Sequence, residues 1–358
     1  MQALRAVAAL MVVVHHAELN LLLGFGLSRP SVLLVGSAGV DVFFVISGFI
    51  MLVSSRRLFA APGGPRIFLL RRLIRILPLY WAVTSVYVVA FLLWPAALGR
   101  VVSGGTMIAS YLFWPHLGLD GTFHPVLVVG WTLNYEMLFY ALFAAAVGLP
   151  RERAVKAIAV GLLAIVGLAA LVRPSGSPLA FWGEPIVLEF AAGIGLGLAY
   201  ERRISISPPV AVLLVCAAAI AFVAQLGRPI PEGWPRLLLY GLPASALVGA
   251  VALVRTDGTR SRLPAALVFL GDASYSLYLV HLLALTATRL AAQRLGFSPT
   301  SAAEAVGFLG ASLGAVIVAA IASYVVFERP VTRYLRGRLE VRRRDVEQSP
   351  NAAPTPPS

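Results

Sequence analysis

The sequence predicts an all-α integral membrane protein of about ten transmembrane helices, with both termini cytoplasmic. Composition predicts the class. Of 358 residues, 59% are hydrophobic and 13% charged, against about 25% charged in a soluble domain. Mean hydropathy is +0.85. Charge distribution predicts the orientation. Basic residues sit between apolar segments, where they fix helix direction in a bilayer. That pattern argues against a nucleic-acid partner despite a net charge of +13.

About 20 apolar residues cross a bilayer as a helix. Such segments fall at 3–23, 33–53, 73–94, 127–148, 154–172, 185–200, 208–226, 237–254, 270–292 and 303–327. The first is not followed by a small-residue cleavage site, so it reads as a span rather than a signal peptide. The 54–75 connection carries Arg56, Arg57, Arg66, Arg71, Arg72 and Arg75, which makes it cytoplasmic. Ten spans then put 22 of the 29 basic residues inside and 7 outside. A further apolar piece, 106–117, would invert everything after it if it crossed, so it is read as re-entrant or superficial on the outer side.

One membrane domain therefore covers 1–338. Residues 339–358 are rich in charge, proline and small polar side chains and read as a disordered cytoplasmic tail. The single cysteine, Cys216, is expected to be a small buried hydrophobe. It supports neither a disulfide framework nor a cysteine-based zinc site. No metal site and no permanently bound cofactor are expected, and the oligomeric state is not legible.

Ionisable groups at membrane depth are costly and mark function by default. They are His15, His16, Asp41, Glu136, Glu189, Asp272 and His281. Arg5 and His16 are eleven residues apart, close to three full turns, so they share a helix face about 16 Å apart along the axis. One face thus offers an anion site at the mouth and acid–base chemistry deeper in. His15 points about 100° away from His16 and is expected to face elsewhere. By depth, His16, Asp41 and Glu136 are expected to converge on one layer.

In "FLLRRLIRILPLY", residues 68–80, Arg71, Arg72 and Arg75 stand where a helix meets the membrane, and Arg71 and Arg75, four apart, share a face. Arginine suits bidentate phosphate binding, and a basic loop equally signals topology. In "VGWTLNYEMLFY", residues 129–140, Glu136 can pair with a histidine, carry a proton, or hold a hydroxyl-rich ligand while Trp131 or Tyr135 stacks on a sugar face. A structural ion pair explains it too. In "GDASYSLYLVH", residues 271–281, small residues permit close helix packing, and His281 is open to either role.

Together these stretches resemble acyltransferase family 3. The family pairs an arginine with a histidine eleven residues later in helix 1, as Arg5 and His16 do. Its "GVDxFFVISGF" matches residues 39–49, and its arginine-rich "FxxRRxxRIxPxY" matches Phe68 to Tyr80. Its "WSLxxE" appears as "WTLNYE" with Thr132 for serine, and "SYSLYLxH" matches Ser274 to His281. Within the family, the chain is most similar to the exopolysaccharide-production branch. It lacks the extra soluble esterase-like domain that some members carry.

The resemblance implies an O-acyltransferase of the bacterial inner membrane, moving an acetyl or other short acyl group from acyl-CoA to a hydroxyl of an extracytoplasmic glycan or lipid-linked glycan. It implies that Arg71, Arg72 and Arg75, with Arg5, hold the CoA phosphates. It assigns His16 as general base or transient acyl carrier, with Glu136 orienting it or binding the sugar. Asp41, Trp131, Tyr135 and His281 are acceptor-site or supporting residues. Two other classes stay open: a glycan transporter or flippase, and a non-catalytic subunit of a polysaccharide-export complex.

Overall fold

The computed structural model describes residues 1–28, 30–93, 102–255 and 264–347, with side chains to 339. Arg29, Arg100, Arg260, Arg262 and the tail from 348 onward lie outside the described residues. Helices α1 (Gln2–Gly24), α2 (Gly39–Ser54), α3 (Gly64–Leu93), α4 (Gly104–Tyr111) and α5 (Trp131–Val147) make up the first half. Helices α6 (Arg151–Val172), α7 (Pro178–Trp182), α8 (Leu188–Glu201), α9 (Pro208–Val223) and α10 (Gly233–Arg236) follow. The chain continues through α11 (Leu242–Leu253), α12 (Ala265–Asp272), α13 (Ser274–Arg294), α14 (Ala302–Ser323) and α15 (Arg329–Glu347). Two π-helical turns, Leu237–Gly241 and Tyr324–Glu328, interrupt the regular winding.

All ten apolar segments fall on helices, and among the described residues seven helical segments are long and apolar enough to cross a membrane. The 127–148, 185–200 and 208–226 segments carry the shorter helices α5, α8 and α9, of 17, 14 and 16 residues. Fourteen residues span about 21 Å, short of a core about 30 Å thick. A 3-10 turn, Pro185–Val187, extends α8 at its start, and another, Val128–Gly130, extends α5. The 106–117 piece holds only the eight-residue α4, about 12 Å long. Helix α15 runs on to Glu347, past the boundary placed at 338.

Helix α2 is the hub. Of the Leu33–Ser54 window, 72% is buried inside the protein, against 17% for Arg151–Val172. It packs most closely on α8, because Gly48 and Gly193 lie at the contact and a Cβ at either would strike the other helix's backbone. Phe44, Phe190 and Phe139 stack in sequence behind that contact. Helix α1 lies against α12 and α13, and Gln2 donates to Asp272 at their ends. The outer helices α6 and α9 present Leu163, Leu171, Leu213 and Ile220 outward. Exposed apolar surface of this extent suits a lipid solvent. Cys216 corrects the sequence reading: it is exposed. Helix α9 turns Ala211 and Ala218 inward, and Cys216, five residues after Ala211, lies about 140° round the helix from it.

Candidate active site

Two cavities lie end to end along α1. The first, about 110 Å³, is lined by Arg5, Arg72, Arg75, Glu136, Ser47 and Tyr140 among others. The second, about 540 Å³, is lined by His15, His16, His124, Trp131, Tyr135, Glu184, Glu232 and Arg236. Val40 and Tyr278 line both. Arg5 and His16, on one face of α1, therefore line two neighbouring cavities that share Val40 and Tyr278.

In the arginine cavity the cations are unequally committed. Arg75 is ion-paired to Glu328, which also accepts from Ser276 N at 3.1 Å and Ser276 Oγ at 2.6 Å. Arg5 Nε donates to Ser274 Oγ at 3.1 Å, and Arg72 Nη2 donates to Ser54 Oγ at 3.0 Å. Among the described residues neither Arg5 nor Arg72 has a carboxylate within ion-pairing distance. A guanidinium held by neutral hydroxyls keeps donors for an anion. Arg71 is exposed and does not line the cavity. Arg72 and Arg75 are the i, i+3 pair that shares its face.

Glu136 accepts from Tyr140 OH and from Ser47 Oγ at 3.3 Å. It makes no hydrogen bond with His16. His16, Asp41 and Glu136 do not meet through hydrogen bonds, and the two carboxylates take separate partners. Asp41, fully buried, is gripped by Arg236, with Nε to Oδ1 at 3.1 Å and Nη2 to Oδ2 at 2.8 Å.

In the histidine cavity, His16 Nδ1 lies 2.9 Å from Val12 O. A carbonyl only accepts, so the proton sits on Nδ1 and Nε2 keeps its lone pair. By the same reasoning His281 Nδ1–H donates to Tyr278 O at 2.7 Å. That leaves His281 Nε2 to face His16 Nδ1 at 3.4 Å. His15 also lines this cavity, its ring edge-on to His16 with centroids 4.7 Å apart. A 100° turn does not carry it away from the chamber, as its sequence position had suggested.

Trp131 is half-buried in the wall, with the Arg236 guanidinium 5.9 Å from its ring centroid. Tyr135 is buried; it stacks on Phe181 at 4.3 Å and donates its hydroxyl to Phe181 O at 2.6 Å, so its ring is already covered. Glu184, in the connection before α8, shares the cavity wall with Glu232. Burial pushes the Glu184 carboxyl up, and the neighbouring Glu232 charge pushes it further. The arrangement offers an anion-holding chamber, a basic imidazole nitrogen in a second chamber, and acidic and aromatic side chains around that nitrogen.

The match to known proteins decides the class. A family model described as an acyltransferase domain matches residues 1–325. The chain belongs to acyltransferase family 3. It is 36% identical over 313 residues to the exopolysaccharide production protein ExoZ of Rhizobium meliloti (strain 1021), covering 85% of this chain and 92% of that protein. It is 28% identical over 347 residues to the acyltransferase MdmB of Streptomyces mycarofaciens, covering 89% of this chain and 85% of that protein. No solved structure matches. As a member of this family, the chain is a multi-pass membrane acyltransferase.

The residues that sequence reasoning missed are Arg236 and Glu328. Arg236 looked like an outer topology charge in "PEGWPR", and Glu328 like the end of the last span. A buried Asp41 without a partner in its own segment was the signal that a cation had to come from elsewhere.

Proposed function

We propose that the protein transfers an acetyl or other short acyl group from acyl-CoA to a hydroxyl of an extracytoplasmic glycan, a secreted exopolysaccharide or its lipid-linked precursor. The observation that carries this reading is the pairing of Arg5 and His16 in two chambers that meet at Val40 and Tyr278. The family supplies acyl transfer, and the similarity to a protein of exopolysaccharide production supports a glycan acceptor.

In this reading the arginine cavity faces the cytoplasm, because its arginines adjoin the loop densest in basic residues. Ten crossings of the inner membrane, with α5, α8 and α9 lengthened by their flanking turns, keep both termini on that side. Arg5 and Arg72 bind CoA phosphates, with Arg75 held in place by Glu328. Trp131 offers a stacking face to the sugar, and Glu184 and Glu232 hydrogen-bond its hydroxyls. His16 Nε2 takes the proton of the acceptor hydroxyl as its oxygen bonds to the acyl carbon. The thioester C–S bond breaks, and the proton passes from His16 to the departing thiolate, giving an ester and free CoA thiol. Glu136, bonded to Ser47 and Tyr140 in the arginine cavity, positions the donor rather than the histidine.

The experiment is transfer of labelled acetyl from acetyl-CoA to polysaccharide, in membranes with and without the protein. Glycan translocation without CoA consumption would point to a transporter. Unchanged acetylation in a His16 variant would point to a non-catalytic subunit.

A further inference from the structure

The two chambers are separate cavities that share the side chains of Val40 and Tyr278. Both side chains face each cavity, and an acyl group that goes from a donor among the arginines to an acceptor beside His16 has to come past them. Resting on the acyl-CoA reading above, we propose that Tyr278 and Val40 form an acyl-width filter, a specificity-determining constriction that passes unbranched acyl chains and rejects branched ones.

The constriction is rigid on both sides. Tyr278 is buried, and its hydroxyl donates to Val129 O at 3.1 Å and lies 3.0 Å from Thr132 Oγ1. Thr132 Oγ1 itself donates to Val129 O at 3.0 Å, so two hydroxyls close on one carbonyl in the turn before α5. Phe43 packs edge-on against the Tyr278 ring at 6.0 Å. Swinging the ring aside breaks these buried bonds. Opposite stands Val40 on α2, 4% exposed, and a valine on a helix keeps essentially one rotamer. The walls cannot adapt, and a packed constriction discriminates by shape.

The filter also sits at the point of transfer. Tyr278 O accepts from His281 Nδ1, and His281 Nε2 faces His16 Nδ1. The backbone of the constriction thus holds the chain of groups that ends on the basic nitrogen. The sulfur-bearing end of the donor's pantetheine arm, its cysteamine and β-alanine units, is an unbranched chain, so an opening that admits that end accepts a linear acyl group of the same cross-section. A carbon branching next to the carbonyl widens the group where it meets the walls.

The test compares n-butyryl-CoA with isobutyryl-CoA, which have equal carbon count and differ in width, alongside acetyl-CoA. The full-length protein in membranes is supplied with polysaccharide from cells lacking it, and the esters are counted by mass spectrometry. The wild type is expected to prefer n-butyryl over isobutyryl by about 10- to 200-fold, the range for one misplaced carbon in an apolar pocket. Tyr278→Ala brings that ratio down towards one, and Val40→Ala, which removes two methyl groups and leaves the helix intact, moves it the same way by less. If Tyr278→Ala fails to reach the membrane, the Val40→Ala ratio decides. Equal use of both isomers by the wild type, or an unchanged ratio in the variants, overturns the filter. Rejection of both isomers with acetyl transfer intact also overturns it, since the limit is then on length. No transfer from any CoA, acetyl-CoA included, overturns the acyl-CoA reading and the filter together.

Discussion

His281 Nε2 lies 3.4 Å from His16 Nδ1, and each ring is fixed by a backbone carbonyl, Tyr278 O for one and Val12 O for the other. The pair leaves His16 Nε2 unprotonated in a chamber lined by aromatic and acidic side chains. General-base catalysis contributes about 10²- to 10⁴-fold. His16→Ala is accordingly expected to lower acyl transfer by that factor while the amount of protein in the membrane stays near normal. His281→Ala removes one neutral hydrogen bond, about 0.5–1.5 kcal/mol, and is expected to cost about 2- to 13-fold. Rate assays on membranes matched for protein level check both, and equal losses from the two variants contradict the assignment.

The arginines separate by what holds them. Arg5→Ala and Arg72→Ala each delete a charge-assisted contact, about 1.5–3 kcal/mol or roughly 10- to 150-fold, and should appear as a raised apparent KM for acetyl-CoA. Arg71→Ala should leave that KM within about twofold, since its side chain is exposed outside the cavity and surface changes rarely exceed about 0.5 kcal/mol. A donor titration on the three variants distinguishes donor binding from simple topology signalling, which predicts failed insertion instead.

Asp41 and Arg236 form a bidentate pair in which the Asp41 side chain is 0% and the Arg236 side chain 12% exposed. Removing one partner of a buried pair costs about 3–5 kcal/mol, because a charge is left without compensation. Asp41→Asn should therefore lower the thermal unfolding midpoint in detergent sharply. Replacing both residues with apolar ones should recover a large part of that loss. A single variant as stable as the wild type contradicts the pairing.

Orientation is open to cysteine accessibility. With Cys216→Ala as background, single cysteines at Ser103, Ser207 and Ser349 report on three connections. An impermeant thiol reagent added to intact cells should label the first alone. Labelling at Ser207 or Ser349 reverses the orientation and removes the arginine cavity from the CoA pool.

Much of this was legible in the sequence, for stated physical reasons. Apolar length located the helices, since a bilayer leaves few other ways to satisfy a backbone. Eleven-residue spacing put Arg5 and His16 on one face without any partner being known. What failed was absolute phase and distant pairing. Spacing put Arg71 with Arg75 on one face, yet Arg72 is the one that joins Arg75 in the cavity wall, because i, i+3 and i, i+4 neighbours share a face equally. Depth along an axis placed Asp41 and Glu136 near His16, yet depth carries no azimuth, and the two carboxylates take separate partners. Arg236 comes to Asp41 from 195 residues away, a distance over which local pattern is silent. Cys216 was misplaced because an apolar segment has a lipid-facing side as well as a buried one.

The most direct measurement is the ester content of the secreted polysaccharide, by mass spectrometry, from cells making the wild-type protein, the His16→Ala variant, or neither. The account predicts acyl-bearing repeat units with the wild type and their loss in the other two, with polysaccharide still exported. Acylation that persists in the His16→Ala cells, or polysaccharide that is fully acylated without the protein, contradicts it.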